Sequence, residues 1–207
     1  MAHVLSSCFP VASAGPPPGD DDAQRREESA LVAMAQAGDE AAFENLVRRH
    51  SPRLHAVLSR ITREPETAQD AAQNALLRAS QNIDRFEARS SFFTWLTRIG
   101  INEAYRTIRR HPAGSEVPLD DAVGERIPAW GAQPDELFES REFLAAVDAA
   151  LQRLPPNTRA AVVLRDVEGL SAAEAAEVLT IGERALKSRL HRGRMALRRE
   201  LDAFFAS

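Results

Sequence analysis

"ERALKSRLHRGRMALRREL", residues 183–201, carries the information on which any reading of this chain turns. It holds Arg184, Lys187, Arg189, Arg192, Arg194, Arg198 and Arg199, with no acid between the first and the last. Leu186, Leu190, Leu197 and Leu201 recur at spacings that place them on one side of a helix, with Gly193 on the same seam. Arg184, Ser188, Arg192 and Arg199 then point the opposite way, flanked by Lys187 and Arg189. A solvated amphipathic helix or a coiled-coil partner normally mixes acids among its bases, and this run does not. A helix of that length spans roughly 28 Å, so its first turns fit a major groove while later bases reach phosphates.

Working back from this helix, Thr180-Ile181-Gly182 form a tight turn, and Ser171 with Glu174 has the spacing of a capping box opening a short helix over 172–179. A short helix, a turn and a longer basic helix have the spacing of a helix-turn-helix. Pro155-Pro156 open a further helix with Val162, Val163 and Leu164 as core, preceded by one through Phe143, Val147 and Leu151. Residues 138–207 therefore read as one helical domain that binds nucleic acid.

A second helical pattern runs from 28 to 111. A short helix ends at Gly38, and Asp39 is placed to cap the next. Phe43, Leu46, Val47, Leu54, Val57, Leu58 and Ile61 follow at helical spacing, with Ser51-Pro52 predicting a kink or a restart. Pro65 suits the first turn of a third helix, whose buried face is Ala68, Ala71, Ala72, Ala75, Leu76 and Ala79. Ser90-Ser91 precede a fourth, carrying Phe92, Phe93, Trp95, Leu96, Ile99 and Ile108. This fourth helix has its own basic edge of Arg98, Arg106, Arg109 and Arg110, with Asn102 one turn beyond Arg98. Arg and Asn are residue types that contact phosphates and base edges. The stretch 86–95, "FEARSSFFTW", is a platform for an unpaired base or, more simply, part of the core, and an Arg stacked on Trp95 is a further option.

Between the two patterns, 112–137 is punctuated by Pro112, Pro118, Pro128 and Pro134 and is rich in acids, as a semi-extended linker would be. Residues 1–27, with Pro16-Pro17-Pro18 and Asp20-Asp21-Asp22, read as a flexible acidic tail. The expectation is an all-α chain of two helical domains.

Composition narrows the function. The net charge of −4 contrasts with the basic helix, so the positive charge is local rather than a property of the whole chain. The single cysteine, Cys8, allows no internal disulfide and fits a reducing compartment. The N-terminus carries no basic residue before a short apolar stretch closed by Pro10, which argues against export and for the cytoplasm. His3, His50, His55, His111 and His191 lack ligand spacing, and no phosphate loop or nucleophile triad is present, so neither an enzyme nor a metal or cofactor is expected.

Three segments of the first domain and most of the second are similar to the extracytoplasmic-function (group IV) sigma factors of the sigma-70 family of bacterial RNA polymerase. "GDEAAFENLVRRH" resembles the family's opening helix, and "AQDAAQNALLRA" its segment that docks on polymerase. "SSFFTWLTRIGINEAYRTIRR" resembles the segment that melts and reads the −10 element. "LPPNTRAAVVLRDVEGLSAAEAAEVLTIGERALKSRLHRGRMALRREL" resembles the −35 reader. The resemblance implies docking of Asp70, Gln73, Asn74 and Leu77 on the β′ clamp helices of core polymerase, with the second domain at the β flap. It implies −35 contacts from Arg184, Lys187, Ser188, Arg189 and Arg192. Ser90, Ser91 and Asn102 would hold an extruded −10 base while Arg98, Arg106, Arg109 and Arg110 track the backbone. Promoter DNA is the other implied partner, and many relatives are held by an anti-sigma factor.

Four positions depart from the family pattern. Gln69 and Asn74 stand where acids are usual in the docking segment, and Arg106 stands where the −10 helix commonly has an acid, adding positive charge near DNA. The usual turn glycine is Thr180, with a glycine displaced to Gly182. Because a left-handed threonine is strained, the turn is expected to be built differently. The rival from another class is a stand-alone helix-turn-helix regulator that binds operator DNA without polymerase; an adaptor bridging polymerase to another protein is a third.

Overall fold

In the computed structural model, residues 20–110 and 141–205 are described, with side chains over 23–108 and 141–202. All regular structure among them is helical, and it forms two compact units. The expected linker lies outside the described residues, as does the tail up to residue 19.

The first unit begins with α1, Asp20–Gln36. This corrects the tail boundary: Asp20, Asp21 and Asp22 open a helix. An acidic run that looks like a solvated tail also suits a first helical turn, where negative charge meets the positive end of the peptide dipoles. α1 ends in a Schellman turn, with Gly38 N–H on Ala35 O and Asp39 N–H on Met34 O, and Gly38 takes φ +94°. Asp39 then caps α2, Glu40–Ile61, accepting from Ala42 N–H at 3.0 Å. Pro52 sits inside α2 without breaking it, so neither the predicted kink nor the restart marks a boundary. Leu46, Leu54, Val57, Leu58 and Ile61 are fully buried, and that packing offsets the missing N–H.

α3, Pro65–Gln81, has proline in its first turn and buries Ala68, Ala71, Ala72, Ala75 and Ala79 as expected. Leu76 is only half-buried. A 3-10 turn, Ile83–Arg85, leads to α4, Phe92–Arg110. The alanine face of α3 packs closely on α4, and Gly100 performs the same service toward α2: a Cβ there would lie 3.1 Å from Leu54 and Leu58. Phe92, Phe93, Leu96, Ile101 and Ala104 are the buried face of α4.

The second unit contains α5, Arg141–Arg153, and α6, Pro156–Val162, which continues into a π-helical turn, Val163–Val167. There Glu168 N–H reaches Val163 O at 2.9 Å. α7 is Ala172–Val178 and α8 is Glu183–Phe205. The capping box is present, with Glu174 N–H on Ser171 Oγ and Ser171 N–H on the Glu174 carboxylate. Leu186, Leu190, Leu197 and Leu201 are buried, each contributing about 1.5–3 kcal/mol. Gly193 allows the closest approach: a Cβ would meet Val162 Cγ2 at 2.5 Å and Thr158 Cγ2 at 3.0 Å.

The α7–α8 turn corrects the expectation about Thr180. It adopts φ +53°, with Thr180 N–H on Glu177 O and Ile181 N–H on Ala176 O, each at 3.0 Å. This is the same Schellman geometry as at Gly38, so the turn keeps its ordinary form and Thr180 carries the strain. Gly182 is not in the left-handed region. Replacing Thr180 with glycine is expected to stabilise this unit by about 1 kcal/mol. Calorimetry should register roughly 4–8 °C in its melting temperature.

Candidate nucleic-acid interface

Charge alone does not make all seven bases of α8 available. Arg194 is committed to the core: its Nε lies 2.8 Å and its Nη2 2.5 Å from the two carboxylate oxygens of Asp166, on the π-helical turn. The Asp166 side chain is wholly inaccessible and that of Arg194 is 25% exposed. Hydrogen bonding to Asp166 holds the Arg194 guanidinium above its usual pKa, against the opposing effect of burial. Arg198 lies 4.0 Å from Asp202. Of the other five bases, Arg184, Lys187 and Arg199 are exposed and Arg189 and Arg192 half-buried, so four of the five lie in the N-terminal half of α8.

Ser188 departs from its expected place. Its exposure is only 9%, although the helical wheel sets it opposite the leucines. A wheel specifies direction about the helix axis but not what covers that direction, and a side chain this short gains no exposure by reach.

In the first unit, Asp70, Gln73, Asn74 and Leu77 are all exposed on one face of α3. Leu77 is 57% accessible, and only it and Met34 are exposed large apolar side chains among the described residues. That face thus combines one uncovered apolar side chain with two amides and one carboxylate.

The basic edge of α4 is partly neutralised. Glu103 lies 2.7 Å from Arg78 Nε and 3.1 Å from Arg106 Nη1, so Arg106 does not simply add charge as expected. Asn102 is exposed and Arg98 half-buried. The side chains of Arg109 and Arg110 lie outside the described residues. Ser91 caps α4: its Oγ accepts from Thr94 N–H at 3.1 Å and lies 2.8 Å from Thr94 Oγ1. Ser90 is half-buried beside it.

The aromatic stretch is mainly core, as its simpler interpretation held. Phe92 and Phe93 are buried, and Phe86 packs edge-on against Phe92 with centroids 5.9 Å apart. Trp95, 5.2 Å from Phe86, remains half-buried. The Arg–aromatic contact involves Arg53, 4.0 Å above Phe93, rather than an Arg on Trp95.

The brace behind this surface was not foreseen. Glu28 on α1 lies 3.0 Å from His50 Nε2 and accepts a hydrogen bond from the backbone N–H of Phe92, at the start of α4. Arg49 pairs with Glu27 at 2.8 Å. Burial pushes the Glu28 carboxyl up, but His50, the Phe92 N–H and Arg49 together outweigh it and hold its pKa below the ordinary 4.5. The stability from Glu28 is thus present above about pH 4.5 and is lost as acid protonates the folded carboxyl. Glu28→Gln should make the first unit's melting temperature fall less between about pH 6 and about pH 3 than in the parent, measured by circular dichroism. No local pattern links residues so far apart, so the sequence carries no signal for this contact.

No helix among the described residues is long and apolar enough to cross a membrane. Two family descriptions match the chain: Sigma-70 region 2 over residues 46–113 and Sigma-70, region 4 over 144–197. The RNA polymerase sigma-H factor of Pseudomonas aeruginosa is 33% identical, covering 83% of this chain and 92% of its own length. ECF RNA polymerase sigma factor SigM of Mycobacterium tuberculosis is 38% identical over 84% of each. Among solved structures, CnrH in complex with the cytosolic domain of CnrY matches with a TM-score of 0.61 and 28% identity, over 86% of this chain and 98% of that one. Sigma factor RpoE of Bartonella quintana, in complex with the anti-sigma factor NepR, matches with a TM-score of 0.60 and 26% identity, over 77% and 96%. These likenesses run through both helical units and decide against a stand-alone regulator: the chain belongs to the extracytoplasmic-function sigma factors of the sigma-70 family, non-enzymatic subunits that bind core RNA polymerase and direct promoter-specific initiation of transcription.

Proposed function

We propose that the two units divide the promoter between them, the second (138–207) reading the −35 element and the first (28–111) docking on polymerase and opening the −10 element. The observation that carries this is the acid-free run Arg184–Arg199 of α8, with Arg184 and Lys187 exposed beside a buried leucine seam. Arg184, Lys187, Arg189 and Arg192 supply base and phosphate contacts, and Ser188, being buried, contributes through its helix position rather than by reach. Asp70, Gln73, Asn74 and Leu77 form the docking face for the β′ clamp helices, and the second unit lies at the β flap. Ser90, Ser91 and Asn102 hold an extruded −10 base, with Arg98, Arg106, Arg109 and Arg110 along the strand. Flipping a base costs a few kcal/mol, recovered through these contacts. Residues 112–137 join the units as an acidic strap, and the protein works in the cytoplasm, where core polymerase is found. An anti-sigma factor is its proposed restraint, supported by the NepR complex of the Bartonella relative.

The test is transcription in vitro with core polymerase over a genomic template library. Promoter-specific transcripts are expected, and their absence would refute the reading. Asp70→Ala combined with Leu77→Ala should weaken core assembly about tenfold or more, measured by fluorescence anisotropy, while leaving the fold intact because both side chains are exposed.

A further inference from the structure

The segment between α3 and α4, residues 83–91, is held at both ends by α1. At one end, the Gln36 side-chain amide donates both its hydrogens, to Ile83 O at 3.0 Å and to Phe86 O at 2.8 Å. At the other, Glu28 accepts from the N–H of Phe92. The two contacts stand eight residues apart on α1, roughly 12 Å along the axis, with buried Val32 and Ala35 between them. Between the grips, the Phe86 ring is 8% exposed against Phe92 and Trp95. The chain then turns at Ala88 with φ +53° and re-enters the helix through the Ser91 cap. Glu87, Ala88 and Arg89 are left as an exposed tip, with Glu87 and Arg89 paired at 2.6 Å.

A tip that projects into solvent and contains a left-handed alanine gains little from its one exposed ion pair. Both amide hydrogens of Gln36 are used, so no apolar side chain replaces it, and a carboxylate would face two carbonyl oxygens. We infer that Gln36 is a positioning residue for base readout: it fixes the 83–91 segment in the shape that receives the extruded −10 base. This rests on the assignment of Ser90 and Ser91 to that base. The consequence is that α1, which touches no DNA in the assignment, sets the discrimination of the −10 reader. A loop fixed in one shape cannot rearrange to meet a wrong base, whereas a loosened one can, so the grip acts on the difference between right and wrong bases.

The experiment compares transcription by core polymerase with the full chain on promoters differing at single −10 positions and, separately, at single −35 positions. Gln36→Met keeps the length and helix preference and removes the donors; Gln36→Lys restores a donor at similar reach. Gln36 is exposed, so neither change disturbs the core. Gln36→Met is expected to reduce −10 discrimination about tenfold and to leave the −35 profile and core affinity unchanged, with Gln36→Lys recovering a substantial part. A merely structural role would lower melting temperature and total activity without altering the ratio between promoters. An unchanged −10 profile in Gln36→Met, beside altered profiles in Ser90→Ala and Ser91→Ala, would overturn the role of Gln36 and leave the base assignment standing. Unchanged profiles in all three would overturn the base assignment and this inference with it.

Discussion

Asp166→Ala should unfold the second unit at temperatures where the parent is intact. The carboxylate has no accessible surface, and both its oxygens are engaged by Arg194. Removing it strands a partly buried guanidinium without its partner, a loss of about 3–5 kcal/mol for a buried pair. Arg194 keeps a quarter of its surface, so the lower end of that range applies. For a domain of this size, about 3 kcal/mol lowers the melting temperature by roughly 10–20 °C, easily followed by circular dichroism. Small helical domains have only about 5–15 kcal/mol of stability in total, so loss of −35 recognition should accompany melting. Combining Asp166→Leu with Arg194→Met should recover most of the stability, because an apolar pair leaves no charge behind. A drop of less than about 3 °C in Asp166→Ala would show the pair to be dispensable.

The largest functional loss is expected from Arg184→Ala combined with Lys187→Ala. Both side chains are exposed in the first two turns of α8, away from the buried leucines. A base contact is worth about 1–3 kcal/mol, and each phosphate contact adds about one to the salt slope of binding. The pair of changes should therefore weaken holoenzyme binding to −35-dependent promoters by roughly two orders of magnitude. It should also flatten the salt dependence by one to two, measured by filter binding across a salt series. Core assembly through the exposed face of α3 should be unchanged, since its side chains are untouched. Arg194→Ala makes the contrast: it also removes a positive charge from the same helix, but its effect should come through melting, not through the salt slope.

Local patterns have short range: Asp39 and Ala42, Ser171 and Glu174, and the leucines of α8 lie within a few turns of one another, and each behaves as its spacing predicts. The common exposed face of Asp70, Gln73, Asn74 and Leu77 was legible for the same reason, because one helix sets which residues share a side.

Long-range pairing left no such trace. Arg194 looks like any other base in its run until Asp166 is brought beneath it by the π-helical turn, and Ser188 looks exposed until its surroundings are known. Thr180 shows the same limit: intrinsic preference disfavours a left-handed threonine, yet the packing of α7 and α8 imposes that turn. Gln36 and Glu28 acquire their roles only because α1 lies across the segment that precedes α4. Periodicity and capping act through the backbone between near neighbours, so they are written in order along the chain. Which charge is neutralised and which loop is held depend on distances between residues far apart in that order, and those distances exist only once the helices have packed.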